Sequence, residues 1–274
     1  MFNLFLNDFF YFFDKASLHN FADDNTLSAK AKTLEELKSI LTHECEIAIN
    51  WLKSNQMLAN PGKFQVMFLT SSKDHILTPL PINQNLIKSK QSVELLGVEI
   101  DDKLKFESHI SKICGSAAGQ INSLYRFDKY LIPQARNLAA NSFILSNFTY
   151  CPLVWHFCPN SSNKKIESIN RRAIKFSFGN NYPIVMCTNE IRRLRKLAVE
   201  VHKTVNRLNP SYMNNIFSAK NCQTLSSFAN NLQTTKYNQI TYGRNSLRVL
   251  GQILWNFLPN TIKSEKILTN SKNS

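Results

Sequence analysis

Two adjacent carboxylates, in the segment Phe21-Ala22-Asp23-Asp24-Asn25, constrain the fold of this chain more than any other feature. An aromatic run and a polar break precede them, which predicts a strand at Phe9–Phe13, a turn at Asp14–Ser17 and a second strand at Leu18–Ala22. Strand side chains alternate between faces, so Asp23 and Asp24 would point in opposite directions if the strand continues. Like charges at the tip of an apolar hairpin repel each other and lose hydration, so the pair indicates a nearby cation. A solvated Asp-Asp-Asn turn is the alternative.

The charge balance of the chain predicts a polyanionic partner. The 274 residues include 33 Lys and Arg against 19 Asp and Glu, which gives a formal net charge of +14. Such an excess favours nucleic acid or an acidic membrane surface. Hydrophobic residues make up 43% of the chain, enough to bury a core. The seven glycines form no glycine-rich phosphate loop.

The six cysteines, at positions 45, 114, 151, 158, 187 and 222, are too dispersed for a secreted disulfide scaffold. No Cys-x-x-Cys pair occurs. Cys151, His156 and Cys158 lie close together in sequence, but they fall short of the four ligands of a structural zinc site. We therefore expect reduced core cysteines, with a metal site as the weaker alternative.

No segment has the pattern of a targeting or membrane-spanning sequence. The apolar N-terminus lacks a basic region before it and is interrupted by Asn3, Asn7 and Asp8. The uncharged stretch 137–163 contains several Asn and Ser residues and a proline, which are costly in lipid. These features predict an intracellular protein, in the nucleus or the cytoplasm, without a membrane partner.

Helix and turn signals follow the acidic pair. Thr33 and Glu36 form a capping box, which predicts the start of an amphipathic helix that ends near Ser54. The composition of 60–63 predicts a turn. After this turn, residues 64–69 are predicted to form a strand.

A second strand region is predicted at 92–102, with Gly97 where the backbone bends or approaches a neighbour closely. The helix that follows has an apolar face that includes Ile110, Ala117 and Ile121, and we expect His109 to pack at its start. Pro133 suits the first turn of another helix, predicted at 135–148.

Two basic amphipathic helices are predicted further on. The stretch 164–207 contains 11 basic residues against three glutamates. A solvated helix face is one explanation, but the concentration on one side favours contact with phosphates. The candidate nucleic-acid-binding residues are Lys164, Lys165, Arg171, Arg172, Lys175, Arg192, Arg193, Arg195, Lys196, Lys203 and Arg207.

The segment Phe21-Ala22-Asp23-Asp24 resembles the Tyr/Phe-Ala-Asp-Asp box of reverse transcriptases. Residues 1–8 resemble the segment that precedes this box in non-LTR retrotransposons of the jockey and LINE type. Three later segments are also similar to that family. They are a helix ending in Trp51 and Asn55 with Leu58, Asn60 and Lys63 after it, the stretch Ser92–Asp102, and the ending Leu254-Trp255-Asn256-Phe257-Leu258-Pro259. Phe64 stands where the family usually has threonine.

The resemblance implies an α+β fold in which a truncated palm, 1–103, carries a primer-grip-like hairpin. A thumb helix would begin in 104–130, a basic helical region would cover 131–263, and 264–274 would be a disordered tail. We expect Trp255, in the similar ending, to pack in the interior.

The family's chemistry is template-directed nucleotidyl transfer with two Mg²⁺ ions. Carried over, Asp23 and Asp24 are the catalytic residues, and Asp23 is the metal ligand. Lys63 would approach the incoming nucleotide, and Leu96, Gly97 and Val98 would form the primer grip. The implied partners are an RNA template and a DNA primer or target DNA, with no small-molecule cofactor.

The family pattern also places fingers and a further catalytic Asp before residue 1. We therefore expect a reverse-transcriptase fragment that is inactive alone. The genomic sequence upstream of Met1 would test this expectation. A non-catalytic RNA- or DNA-binding module and a pseudogene product remain open alternatives, and the sequence does not indicate an oligomeric state.

Overall fold

The computed structural model describes residues 2–70, 76–179, 188–219, 231–238 and 243–264. The chain divides into two compact units, Met1–Leu104 and Lys105–Ser274. Helices and small antiparallel hairpins occur together, so the α+β class is confirmed at that level. The strands are β1 Ala16–Phe21, β2 Asp24–Ala29, β3 Leu80–Ile82, β4 Asn85–Ile87, β5 Ser92–Leu95 and β6 Val98–Asp101. The α-helices are α1 Phe2–Phe5, α2 Leu34–Ser54, α3 Glu107–Phe127, α4 Pro133–Ala139, α5 Asn160–Phe178, α6 Asn189–Val205, α7 Leu247–Phe257 and α8 Asn260–Ser264.

The predicted strand Phe9–Phe13 is wrong, because Phe9–Phe12 forms a 3₁₀ helix. The ring of Phe9 is buried with its centroid 4.5 Å from that of Trp51, a residue of α2. The next three aromatic residues are exposed, so the burial does not alternate as it would in a strand packed on one face. The first hairpin is therefore formed by β1 and β2, one element later than predicted.

Helix α2 begins and ends as predicted. The Thr33 hydroxyl accepts a hydrogen bond from the Glu36 backbone N–H at 3.2 Å, and the Glu36 carboxylate accepts one from the Lys32 N–H at 3.3 Å. Thr33 therefore caps the helix as predicted, whereas the Glu36 carboxylate bonds the residue before the cap instead of the cap residue itself. The helix ends at Ser54, and Trp51 lies buried near that end.

The segment 64–69 does not form the predicted strand. Val66 and Phe68 are nevertheless buried, in a cluster with Leu80 and Ile82. However, the only backbone pairing described for this segment is an isolated bridge between Val66 and Ser89. Apolar alternation fixes which side chains are buried, but a strand also needs a partner along its length.

Two short hairpins complete the first unit. In the β3–β4 hairpin the two turn residues, Asn83 and Gln84, both have positive φ, 44° and 64°. In the β5–β6 hairpin Leu96 and Gly97 have φ of 48° and 78°. Positive φ at both central residues is the geometry of two-residue hairpin turns that match strand twist. The predicted backbone bend at Gly97 is confirmed, but it separates two strands rather than interrupting one.

In the second unit, α3 and α5 run in the same direction. The Lys165 ammonium donates to the Ser111 hydroxyl at 3.4 Å, and the Arg172 guanidinium donates to the Asn122 side-chain carbonyl at 3.0 Å. Contacts therefore advance along both helices together. His109 is buried at the start of α3, as expected.

The predicted helix 135–148 is present only in part. Helix α4 ends at Ala139 and continues as a π-helical turn, Ala140–Ile144, and a 3₁₀ turn, Leu145–Phe148. The Asn147 side-chain N–H group donates to the backbone carbonyls of Phe143 and Ile144 and to the Gln120 side chain. A side chain that bonds the preceding turn competes with regular helical hydrogen bonding, which is the physical reason for the change of pitch.

Helices α6 and α7 pack closely around Gly251. A Cβ atom at this glycine would lie 2.9 Å from side-chain atoms of both Val201 and Phe217. Trp255, one turn later on α7, is buried as expected. The predicted tail, 264–274, lies outside the described residues except for Ser264, which ends α8.

Candidate functional site

Asp23 and Asp24 lie at the exposed turn between β1 and β2. Ala22 and Asp23 connect the two strands, and Phe21 pairs with Asp24 across the hairpin. Ala22 has a φ of 54°, in the left-handed region. The strand therefore does not continue past Ala22, so alternation along one strand cannot set the directions of the two carboxylates. Both acidic side chains are exposed.

Two asparagines hold the turn in place. The Asn20 side-chain N–H group donates to the Ala22 carbonyl at 2.9 Å and to the Asn25 side-chain carbonyl at 2.8 Å. The Asn25 N–H group donates to the Asp23 backbone carbonyl at 3.3 Å. Within the described residues, neither acidic side chain forms a hydrogen bond or an ion pair. Both carboxylates are therefore available to an external ligand.

The base of the hairpin is anchored to α2. The buried carboxylate of Glu44 accepts a hydrogen bond from the Lys15 backbone N–H at 3.0 Å, just before β1. Leu18 packs against the cluster that contains Phe9 and Trp51. Anchoring at the base positions the exposed tip.

The donor set of the tip suits a hard divalent cation only in part. Mg²⁺ sites use one or two carboxylates and complete their coordination with water and substrate phosphates. Asp23 and Asp24 can supply such oxygens. The described residues contain no group of three or more His, Cys, Asp or Glu side chains arranged to hold a metal ion.

Lys63, the candidate nucleotide contact, is exposed at the end of the 3₁₀ turn Pro61–Lys63. The Asn60 side chain caps this turn by accepting a hydrogen bond from the Gly62 N–H at 3.0 Å. The predicted turn is confirmed. Its geometry presents the ammonium group to solvent.

The three candidate primer-grip residues have different environments. Leu96 is exposed at the turn of the β5–β6 hairpin, and Gly97 follows it. Val98 is buried, with 3% of its surface exposed. Only the turn residues are available to a ligand, because Val98 belongs to the core.

The basic residues of α5 lie mainly on its solvent side. Lys164, Arg171 and Lys175 are exposed, whereas Arg172 is half-buried against α3. Lys165 is exposed but is also bonded to Ser111. The opposite side of the helix contains Ile166 and Ala173, which are fully buried. This arrangement produces a positively charged face along the helix.

The basic residues of α6 divide between two faces. Arg195 and Lys196 are exposed, and Lys196 also donates to the Thr149 carbonyl at 3.0 Å. Arg192 and Lys203 are half-buried, and Arg207, just after the helix, is exposed.

Arg193 does not belong to the exposed basic face of α6, which corrects the sequence-based assignment. It is 2% exposed, its guanidinium bonds to the Asn163 side chain, and it lies 5.0 Å from the centre of the Trp155 ring. The sequence held the signal for this difference. Arg193 precedes Leu197 and Val201 at steps of four, which places it on the apolar face.

The four described cysteines are free thiols, but only two of them belong to the core. Cys114 and Cys158 are buried as predicted, Cys45 and Cys151 are half-buried, and Cys187 and Cys222 lie outside the described residues. Burial raises the pKa of the Cys158 thiol. Burial, with the nearby Arg193 charge, lowers the pKa of His156 to about 4.

Sequence reasoning missed the role of two amide side chains on α7. Gln252 and Asn256, one turn apart, bond to the extended segment 231–238. The periodicity of α7 predicts only its apolar face. A glutamine and an asparagine on a helix do not by themselves indicate which segment of the chain they bond.

Comparison of the chain with models of known protein families, with curated proteins and with solved structures found no match. Among the helices in the described ranges, none combines the length and the apolar character needed to cross a bilayer.

Proposed function

We propose that this chain forms part of an RNA-directed DNA polymerase of the non-LTR retrotransposon type, with Asp23 as a ligand of a catalytic Mg²⁺ ion. The observation that carries the proposal is the position of the acidic pair. Asp23 and Asp24 occupy an exposed hairpin turn directly after Phe21-Ala22, and the side-chain amides of Asn20 and Asn25 hold that turn.

The turn supplies oxygen ligands to the reaction. When bound, the divalent ions of such enzymes activate the attacking 3′-hydroxyl and stabilise the leaving pyrophosphate. Asp23 contributes a carboxylate from the turn, and Asp24 provides a neighbouring negative charge across from Phe21. In this proposal Lys63 contacts the phosphates of the nucleotide, and Leu96 and Gly97 contact the primer end.

The test is RNA-templated primer extension with Mg²⁺, performed with this chain and with any longer product of the same reading frame. In an active protein, Asp23→Asn is expected to reduce incorporation to background, because it removes a charged metal ligand. Asp14→Asn, another exposed carboxylate of the same unit, is the matched control and should leave incorporation unchanged. Incorporation that persists in Asp23→Asn contradicts the proposal.

A second candidate function is binding of RNA or DNA by the second unit without catalysis. Exposed basic residues on α5 and on α6 favour it, since each helix buries its apolar side and presents positive charge to solvent. Phosphate contacts by such residues release counterions and make affinity depend steeply on salt.

This candidate is tested by fluorescence anisotropy with a labelled RNA at several salt concentrations. Replacing Arg192, Arg195 and Lys196 with glutamine should weaken binding and reduce the salt slope by about 0.7–0.9 for each lost phosphate contact. Asp23→Asn should be silent in this assay. Salt-insensitive binding, or no binding, excludes this function.

A further inference from the structure

Three aromatic side chains are exposed where α3 ends. Tyr125 is 43% exposed, Phe127 57% and Tyr130 73%. The bond between Arg172 and Asn122 places α5 beside this end of α3. We call these residues together the aromatic–basic patch: Tyr125, Arg126, Phe127, Lys129 and Tyr130 at the end of α3 and in the turn after it, and Arg172 on α5. Successive helical residues point about 100° apart, so Tyr125 and Tyr130 offer two separate rings to a ligand.

The ring of Tyr125 packs against a buried ring of α5. It meets the buried Phe176 ring edge-on, with centroids 5.2 Å apart and an angle of 80° between the planes. Edge-to-face packing of this kind is favourable and fixes the orientation of the outer ring. Tyr125 is therefore a partly exposed ring on a helix, with little freedom to lose when a ligand stacks on it.

Tyr130 already interacts with a cation. The Lys129 ammonium lies 4.9 Å from the centre of the Tyr130 ring, within the range of a cation–π contact. The pair combines a flat π surface with a positive charge. A base and its phosphate offer the complementary combination.

Few acidic residues lie close to the patch in the sequence. Asp128 is the only acidic residue between positions 108 and 166. Its carboxylate lies 2.8 Å from the Arg136 guanidinium, so that negative charge is already paired. Arg126 and Lys129, near Asp128 in the sequence, are both exposed.

We infer that the aromatic–basic patch binds single-stranded nucleic acid by stacking unpaired bases on Tyr125 and Tyr130. Aromatic rings beside basic residues are the features that bind single strands without sequence preference. A duplex hides its base faces, so it can use the charges but not the rings. The inference rests on the second proposed function, nucleic-acid binding, and adds base stacking to it.

The experiment measures Kd with three labelled probes of equal length, a mixed-sequence single strand, an abasic single strand and a duplex. The double variant Tyr125→Leu/Tyr130→Leu keeps apolar bulk but removes both rings. It should weaken binding to the base-containing single strand by about 5- to 100-fold per stacked base. Binding to the abasic strand and to the duplex should change less than twofold.

Tyr212→Leu is the matched control, because Tyr212 is a 78% exposed tyrosine of the same unit outside the patch. It should leave all three affinities unchanged. Circular dichroism of each variant checks that the fold is retained. If the double variant unfolds, the single variant Tyr130→Leu replaces it, because that substitution removes only an exposed ring.

Several outcomes overturn the inference. One is equal affinity of the wild-type protein for base-containing and abasic strands, and another is an equal loss with Tyr212→Leu. Sedimentation velocity adds a third, since a dimer that dissociates in Tyr130→Leu would make the patch a self-association surface.

Failure of stacking is distinguishable from failure of nucleic-acid binding as a whole. Glutamine variants of Arg195 and Lys196 should weaken binding to abasic and base-containing strands alike. If those variants have this effect while the tyrosine variants have none, the second proposed function survives and the stacking inference does not.

Discussion

The side chain of Asn256 pairs with both backbone groups of Leu232. Its carbonyl oxygen accepts a hydrogen bond from the Leu232 N–H at 2.8 Å, and its N–H group donates to the Leu232 carbonyl at 3.0 Å. Gln252 forms the equivalent contact with Thr235, accepting from the backbone N–H at 2.8 Å and donating to the hydroxyl at 3.1 Å. Two amides on one helix thus bond Leu232 and Thr235, while the backbone N–H of Gln233, between them, donates to the Ser218 carbonyl at 2.9 Å in an isolated bridge.

Asn256→Leu should destabilise the second unit by about 1–3 kcal/mol, because it leaves a buried N–H and a carbonyl of Leu232 without partners. Urea unfolding followed by circular dichroism measures the change. Asn245→Leu, an exposed asparagine just before α7, is the control and should cost far less. Equal losses in the two variants would contradict this account.

Gly251→Ala should be destabilising by about 1–3 kcal/mol, because the added Cβ would lie 2.9 Å from side-chain atoms of both Val201 and Phe217, so that these side chains or α7 must shift. Gly119→Ala on α3 is the matched control, since a Cβ there meets nothing within 4 Å. It should stabilise the helix by about 0.5–1 kcal/mol. Thermal unfolding measures both changes, a lower melting temperature for Gly251→Ala and a higher one for Gly119→Ala.

The stability of the second unit should fall as the pH decreases from about 6.5 to about 4. The pKa of His156 in the folded chain is lowered to about 4 by burial and by Arg193. The unfolded state, with a His pKa near 6.5, therefore binds more protons in this interval, and the free energy of unfolding rises with pH across it. Unfolding curves at several pH values should show a shallower dependence in His156→Phe.

Arg193→Gln should raise the pKa of His156 towards its ordinary value, since one of the two causes of its lowering is removed. The measurement is an NMR titration of the His156 ring protons. Arg195→Gln, an exposed neighbour on the same helix, should leave that pKa unchanged. These two variants also distinguish a structural arginine from a nucleic-acid-binding one, because only Arg195→Gln should weaken nucleic-acid affinity in a folded protein.

Local signals in the sequence were sufficient where a few neighbouring residues decide the structure. Thr33 and Glu36 predicted the start of α2, and Gly97 predicted a bend, because each effect acts within about four residues. The 3₁₀ helix at Phe9–Phe12 could not be predicted in this way, since it depends on packing against Trp51, about forty positions later.

The basic faces were predictable only in part. Helical spacing separates Arg193 from Arg195, but the sequence alone does not show that Asn163 and Trp155 enclose the Arg193 guanidinium. The aromatic–basic patch also needed tertiary structure. Tyr125 follows the apolar face of α3 at helical spacing, so the sequence suggests a buried ring. The structure shows that one edge of the ring packs on Phe176 while 43% of the residue remains exposed to solvent.

The left-handed backbone at Ala22 has a consequence for the acidic pair. An alanine in this conformation costs roughly 1–2 kcal/mol relative to its preferred region, a cost that glycine would avoid. The methyl group also removes many of the alternative conformations open to glycine. The turn is therefore less stable than it would be with glycine at this position, but the backbone that carries the two exposed carboxylates has fewer conformations to lose when a ligand orders it.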